Sequence, residues 1–220
     1  MINNDTKEEN MSEIAEALAN LEEDKVNELV KNRLDAGEDP MSLLDECRQG
    51  MDIVGDRYKA GEYFLSELIV SGEIFKESMN LIEPRMKAGQ GSEQATKVVL
   101  GTVKGDIHNI GKDIVAILLK GAGFEVYDLG IDVPPQAFVD KLKETGAPIL
   151  GMSGLLTPSF DSMKETVESV KEAGLRDKVK IVVGGGIVTE IVQRHTGVDA
   201  FTNDGLEGVE ICRRFAKEMK

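Results

Sequence analysis

Val98-Val99-Leu100-Gly101-Thr102-Val103-Lys104-Gly105-Asp106-Ile107-His108-Asn109-Ile110-Gly111-Lys112 runs from a β-rich apolar stretch straight into a glycine-flanked polar loop. The apolar part reads as a strand over 98–103, and the loop after it opens a helical stretch at about 109–122. The same alternation repeats outward from there. Short β-rich runs follow at 125–129, 149–152 and 181–183, with a weaker one at 200–202. Helical spacing fits 135–145, 158–173, 187–195 and 206–219 between and after them. Strand, helix, strand alternation of this length predicts a parallel sheet covered on both faces, because each crossover has to return to the same edge. The expected domain is α/β, a flavodoxin-like (Rossmann-type) five-stranded parallel sheet, with ligands bound beyond the carboxyl ends of the strands.

Gly105 to Lys112 stands at such a carboxyl end. A histidine on a loop can reach outward to a metal, and an aspartate two residues earlier can accept a hydrogen bond from its second ring nitrogen. That bond fixes the tautomer and raises the basicity of the ligating nitrogen. Gly111 removes a side chain where the helix begins, so a bulky group can lie against the backbone. The competing reading is an ordinary strand-to-helix turn, with Asp106 capping the helix and His108 solvated. Two further stretches fall on the same rim and shift the weight. Met152-Ser153-Gly154-Leu155-Leu156-Thr157-Pro158-Ser159 follows the third strand, and Gly184-Gly185-Gly186 follows the fourth. Residues this small open a groove, and their hydroxyls can hydrogen-bond a polar ligand inside it.

The N-terminal part, up to about residue 86, has a different texture, with apolar side chains at a spacing near 3.6. Ile14, Leu18 and Leu21 mark a first helix, and Val26, Leu29, Val30 and Leu34 a second that ends near Gly37 and Pro40. Leu44, Cys47, Met51 and Val54 stripe a third, and Leu65, Leu68, Gly72, Phe75, Met79 and Ile82 a fourth. The short connections predict an antiparallel four-helix bundle. Residues 84–95 lose the periodicity and gain glycine and serine. The expected domains are therefore a helical cap at 1–88, a linker at 89–95 and an α/β domain at 96–220.

Forty acidic against 26 basic residues give a net charge of -14, which argues against nucleic-acid or anionic-membrane partners, since both need a cationic surface. The opening MINNDTKEEN is acidic where a secretory signal is basic and then apolar, so a cytoplasmic protein is expected. Cys47 and Cys212 lack metal-site spacing and are expected as reduced, buried thiols. His195, near a helix end and without a neighbouring carboxylate motif, is read as a surface residue. Glu8, Glu9, Glu13, Glu16, Glu22, Glu23 and Asp24 read as a solvated acidic face.

Taken together, Asp106, His108 and Gly111, then Ser153-Gly154-Leu155, then the Gly184-Gly185 pair resemble, in the same order, the motifs of the corrinoid (cobalamin-binding) methyltransferase proteins. That family includes the cobalamin module of methionine synthase and the methylamine and methanol corrinoid proteins. Tyr58-Lys59-Ala60-Gly61-Glu62-Tyr63-Phe64-Leu65 resembles the segment that caps the cobalt's upper face, so the resemblance spans nearly the whole chain. It implies His108 as the lower axial ligand of cobalt, in place of the cofactor's own base. Asp106 and Ser159 would extend from it as a hydrogen-bonded relay. Gly105, Ile107 and Asn109 would flank the ligand. Gly111, Ser153, Leu155, Thr157, Gly184, Gly185 and Gly186 would line the channel of the cofactor's tail, with Gly186 standing where some relatives have alanine. Tyr58 and Leu65 would shield the methyl group, and residues 87–95 would act as the hinge that lets the cap swing aside.

The implied function is a carrier of a methyl group on cobalt, as methylcobalamin or a related corrinoid. The cofactor performs the chemistry, while the protein positions it and tunes its electronics. The implied partners are a substrate-specific methyltransferase, a corrinoid:folate or corrinoid:thiol-coenzyme methyltransferase and a reductive activase. Methylamines, betaines, methoxylated aromatics and methanol are the donor classes of the family. A subunit of an adenosylcobalamin-dependent mutase shares the Asp-x-His-x-x-Gly domain but has no need of a helical cap on the same chain. A cobalamin-dependent regulator would call for a basic DNA-binding segment, against the charge of -14, and for the tryptophan such caps carry, of which there is none.

Overall fold

The computed structural model describes residues 11–86 and 95–219. They form two compact units, the second beginning at Ala95. Apart from Ala95, the expected linker and hinge lie outside the described residues, as do Glu8 and Glu9 of the acidic run.

The first unit is made of α1 (Glu13–Ala19), α2 (Glu23–Asp35), α3 (Pro40–Lys59) and α4 (Leu65–Ile82), followed by a 3₁₀ turn at Glu83–Arg85. Local chemistry starts these helices where the apolar periodicity begins. Ser12 accepts the Ala15 N–H, and Asp39 accepts the Met41 N–H with Pro40 at the first helical position. Phe64 N–H donates to the Glu67 carboxylate at 2.8 Å at the start of α4. Leu21 departs from the expected pattern. It lies beyond α1 with φ 61, in the turn to α2, and so belongs to no helical stripe. Gly50 explains how closely α1 and α3 pack, since a Cβ there would stand 2.9 Å from Leu18 Cβ.

The second unit alternates β1 (Lys97–Thr102), α5 (Ile110–Gly121), β2 (Glu125–Asp128), α6 (Pro135–Thr145), β3 (Ile149–Ser153), α7 (Ser159–Glu172), β4 (Lys180–Gly184), α8 (Glu190–Thr196), β5 (Ala200–Thr202) and α9 (Gly205–Glu218). The sheet has five strands in the order β2-β1-β3-β4-β5. Every pairing is parallel, which is the flavodoxin-like arrangement. β1, β3 and β4 are apolar and buried on both faces, as strands between two helical layers must be. Phe138 of α6 is fully buried over Gly101, where a Cβ would approach its ring to 2.8 Å.

The expected helix at 187–195 begins later, at Glu190. Val188 N–H closes a turn onto Gly185 O at 3.0 Å, and Asn203 Nδ2 donates to Val188 O at 2.9 Å, so the segment before Glu190 is held as a loop. Ser153 and Gly184, expected just after their strands, are the last residues of β3 and β4.

Candidate functional site

The register places Thr102 beside Ser153, Ser153 beside Gly184, and Gly184 beside Thr202. Four adjacent strands therefore end on one row of small or hydroxylated residues. The loop from Lys104 to Asn109 leaves this row at β1.

Asp106, within that loop, is fully buried. Its Oδ1 accepts the His108 N–H at 2.9 Å and faces His108 Nδ1 at 2.7 Å. Its Oδ2 accepts Leu155 N–H at 2.6 Å, Leu156 N–H at 3.2 Å and the Ser159 hydroxyl at 2.7 Å. Burial alone pushes the carboxyl pKa up. The N–H groups of His108 and Leu155, the Ser159 hydroxyl and the His108 ring pull it down harder, so the net value lies well below the usual carboxylate range. An ionised carboxylate against Nδ1 keeps the ring proton on that nitrogen and leaves Nε2 with a free lone pair. The alternative role of Asp106 as cap of α5 is not what forms. Asn109 takes the cap position without a side-chain cap bond, and its Nδ2 donates to Asp113 at 2.9 Å.

The His108 side chain is 48% exposed. On the loops of the same rim and at the start of α5, Ile107 and Ile110 are 69% and 71% exposed, and Ile131, Leu155, Leu156 and Ile187 are exposed as well. So much uncovered aliphatic surface at one rim marks a binding face. Gly111, in the first turn of α5, has nothing within 4 Å of where its Cβ would stand. The donor set fits a metal that brings its own equatorial ligands. A bare ion needs about three or four protein ligands, whereas a single imidazole among aliphatic side chains suits a metal that arrives with a macrocycle supplying its other ligands. Among the described residues no group of three or more His, Cys, Asp or Glu is placed to hold an ion.

The remaining rim residues divide by what they touch. Gly105, at φ 83, donates its N–H to Asp132 Oδ1 at 2.7 Å. Thr157 is exposed in the turn before α7, and Ser159, the first residue of α7, is buried against Asp106. Gly185 adopts φ 147, and a Cβ there would stand 2.0 Å from Gly154 O. Gly186 has only ordinary contact with Leu155, so alanine fits there. Asn203 Nδ2 donates to Gly185 O at 2.5 Å and so holds the glycine loop from β5. Sequence reasoning missed Asn203, Asp132, Ile131 and Ile187.

Tyr58 and Leu65 belong to the helical unit. Tyr58 is half-buried near the end of α3, and Leu65 is exposed at the first turn of α4 beside Phe64, Ile69 and Val70. Tyr63 turns inward, its hydroxyl donating to Ala19 O at 2.7 Å beneath the Arg57 guanidinium. His195, expected to lack a carboxylate, has one from another helix: its Nε2 lies 3.1 Å from Asp161 Oδ1 of α7. Cys47 and Cys212 are free and buried.

Residues 96–210 match the family model described as the B12 binding domain, and residues 11–83 match a second model of the same description. The chain belongs to the B12-binding protein family. Its cofactor is accordingly a cobalamin or related corrinoid. This B12-binding protein is 37% identical to trimethylamine corrinoid protein 1 of Methanosarcina acetivorans, over 94% of this chain and 97% of that one. The structure of a cobalamin-binding protein from Desulfitobacterium hafniense is 40% identical, with a TM-score of 0.74 over 94% of this chain and 98% of that chain. The methanol:cobalamin methyltransferase complex MtaBC of Methanosarcina barkeri is 28% identical, with a TM-score of 0.84 over 96% of this chain and 81% of that chain. Among the described residues no helix is long and apolar enough to cross a membrane.

Proposed function

We propose that the chain is a cytoplasmic methyl carrier. It is loaded by a substrate-specific methyltransferase and unloaded by a second one that serves a folate or a thiol coenzyme, and a reductive activase restores it. When bound, the corrinoid supplies the cobalt that accepts and releases the methyl group. Relatives named for trimethylamine and for a methanol:cobalamin methyltransferase complex support this reading.

The observation that carries the reading is the 2.7 Å contact between His108 Nδ1 and the buried Asp106 carboxylate. It turns a half-exposed imidazole into an oriented Nε2 donor on the rim where the strands end. His108 Nε2 would hold the cobalt from below. Asp106 holds the Nδ1 proton, and Ser159 holds Asp106. With Nδ1 held by the Asp106 carboxylate, Nε2 would be the nitrogen offered to the cobalt, and the Ser159 hydroxyl keeps that carboxylate in place. Gly105, Ile107, Asn109 and Gly111 flank the ligand. Ser153, Leu155, Thr157 and the Gly184-Gly185-Gly186 loop receive the tail. The helical domain at 1–88, joined by a linker at 89–95 to the binding domain at 96–220, carries Tyr58 and Leu65 as shields of the methyl group.

The test is the visible absorption spectrum of protein mixed with hydroxocobalamin and desalted, compared with His108→Ala. Stoichiometric retention with a His108-dependent spectrum is expected. Failure to retain colour under oxidising and reducing conditions would sink the proposal.

A further inference from the structure

The His108 segment is held at both ends by one neighbouring turn, the stretch from Asp128, the last residue of β2, to Val133, two residues before α6. At the near end, Asp132 Oδ1 accepts Gly105 N–H at 2.7 Å, and Asp132 N–H donates to Asp106 O at 3.0 Å. At the far end, buried Lys112 donates to Asp128 Oδ2, while Asp128 Oδ1 accepts Gly130 N–H at 2.9 Å. The turn is tied to β1 as well: Thr102 N–H donates to Gly130 O at 2.9 Å, and Val133 N–H donates to Thr102 O at 3.0 Å. Thr102 Oγ1 then donates to His108 O at 3.0 Å.

Asp132 is exposed and has φ 52, the left-handed region that few side chains other than Asn and Asp tolerate. An exposed residue has no core to fill. Its carboxylate and its N–H both reach back to the two residues on which His108 is built, and backbone strain of this kind persists where surroundings impose it for a purpose.

We infer that the turn from Asp128 to Val133 is a clamp that sets the reach of His108, with Asp132 as its positioning residue. The inference rests on the reading of His108 as the cobalt ligand. Metal ligation needs its donor held to about 0.5 Å, and a loop residue cannot supply that precision unaided. Asp132 fixes Gly105 and Asp106, Asp106 fixes the imidazole ring, and the Lys112 to Asp128 ion pair keeps the start of α5 in step with the same turn.

The experiment uses the full chain with Asp132→Ala, Asp132→Gly and Asp132→Asn. Glycine keeps the backbone conformation and loses the acceptor, and asparagine keeps both the conformation and an acceptor oxygen. Amide hydrogen exchange of the unloaded protein reads the clamp without cofactor, and nitrogen hyperfine structure in the cobalt(II) spectrum of the cobalamin-loaded protein reads ligation. In the alanine and glycine variants the Gly105 amide should exchange about tenfold faster or more, and the imidazole-coordinated fraction should fall by about half or more while cobalamin is retained. Asparagine should restore most of both. Wild-type exchange and an undiminished nitrogen signal in the glycine variant overturn the inference, as does an asparagine variant no better than alanine. If the wild type lacks the nitrogen signal, the reading of His108 falls, and Gly105 exchange still decides whether Asp132 clamps the loop.

Discussion

Ser159 Oγ donates to Asp106 Oδ2 at 2.7 Å across 53 residues of sequence, tying the first turn of α7 to the loop after β1. The same oxygen accepts the N–H groups of Leu155 and Leu156. Two rim segments therefore meet on one carboxylate. In Ser159→Ala, Asp106 keeps its backbone donors and loses one hydrogen bond to a charged group, a loss of about 1.5 kcal/mol. A lower urea midpoint with unchanged slope is the expected result. A midpoint equal to wild type would mean that the hydroxyl contributes nothing to the junction.

Asp106 also makes the stability of the protein depend on acid. Burial raises its pKa, but the His108 and Leu155 N–H groups, the Ser159 hydroxyl and the His108 ring outweigh it, so the folded value lies below the unfolded value of about 3.9. A depressed folded pKa gives stabilisation that is complete above the unfolded pKa and is lost as pH falls toward the folded one. Unfolding free energy should therefore decline below about pH 4, by up to about 1.4 kcal/mol per pH unit from this group. Asp106→Asn should be less stable at pH 7, and its deficit should shrink as the pH is taken to about 3. A deficit constant across that range would show that Asp106 is not held ionised.

Much of this was legible in the sequence, for identifiable reasons. The five strands and the rim were readable because parallel strands are short apolar runs whose carboxyl ends carry the loops. Asp106 and His108 were readable because a two-residue spacing is local. Leu21 was misleading, since an apolar residue at helical spacing looks the same whether the helix continues or has ended at Ala19 with the next turn left-handed. Asp132 and Asn203 were hidden because their contacts are to backbone groups 27 and 18 residues away. Lys112 was hidden because a lysine is expected at the surface, and only the Asp113 and Asp128 carboxylates make its burial tolerable.

Gly185 is the rim position least able to accept a side chain. Its φ of 147 suits glycine, and a Cβ would meet the carbonyl oxygen of Gly154 at 2.0 Å, a backbone atom that cannot rotate away. Gly185→Ala should lose about 2–5 kcal/mol through strain and overpacking together. Gly186→Ala, where the contact is ordinary, should stay close to wild type. Equal stability of the two variants by denaturant titration would refute this account of the loop.

Both cysteines should be inert in the folded protein. Burial pushes the Cys47 and Cys212 thiols up to about 12, so at pH 8 only roughly one in ten thousand is a thiolate, and neither is reachable. Intact-mass measurement after iodoacetamide should find no adduct in native buffer and two in urea. An adduct on native protein at a rate set by reagent concentration would show an exposed thiol.

Gly111 separates the stability of the protein from its function. It lies in the first turn of α5, where glycine costs up to about 0.5 kcal/mol relative to alanine, less than in a helix interior, and nothing stands within 4 Å of the missing Cβ. If packing within the chain were all that mattered, alanine would serve at least as well. Gly111→Ala should leave the stability of the unloaded chain unchanged or raise it by up to about 0.5 kcal/mol. The same methyl group would stand in the space proposed for the corrinoid beside His108, so retention of hydroxocobalamin after desalting should fall. A variant that is no less stable and binds as well as wild type would mean that the open face of α5 is not where the cofactor lies, and would move the site away from Gly111 while leaving His108 to be tested separately.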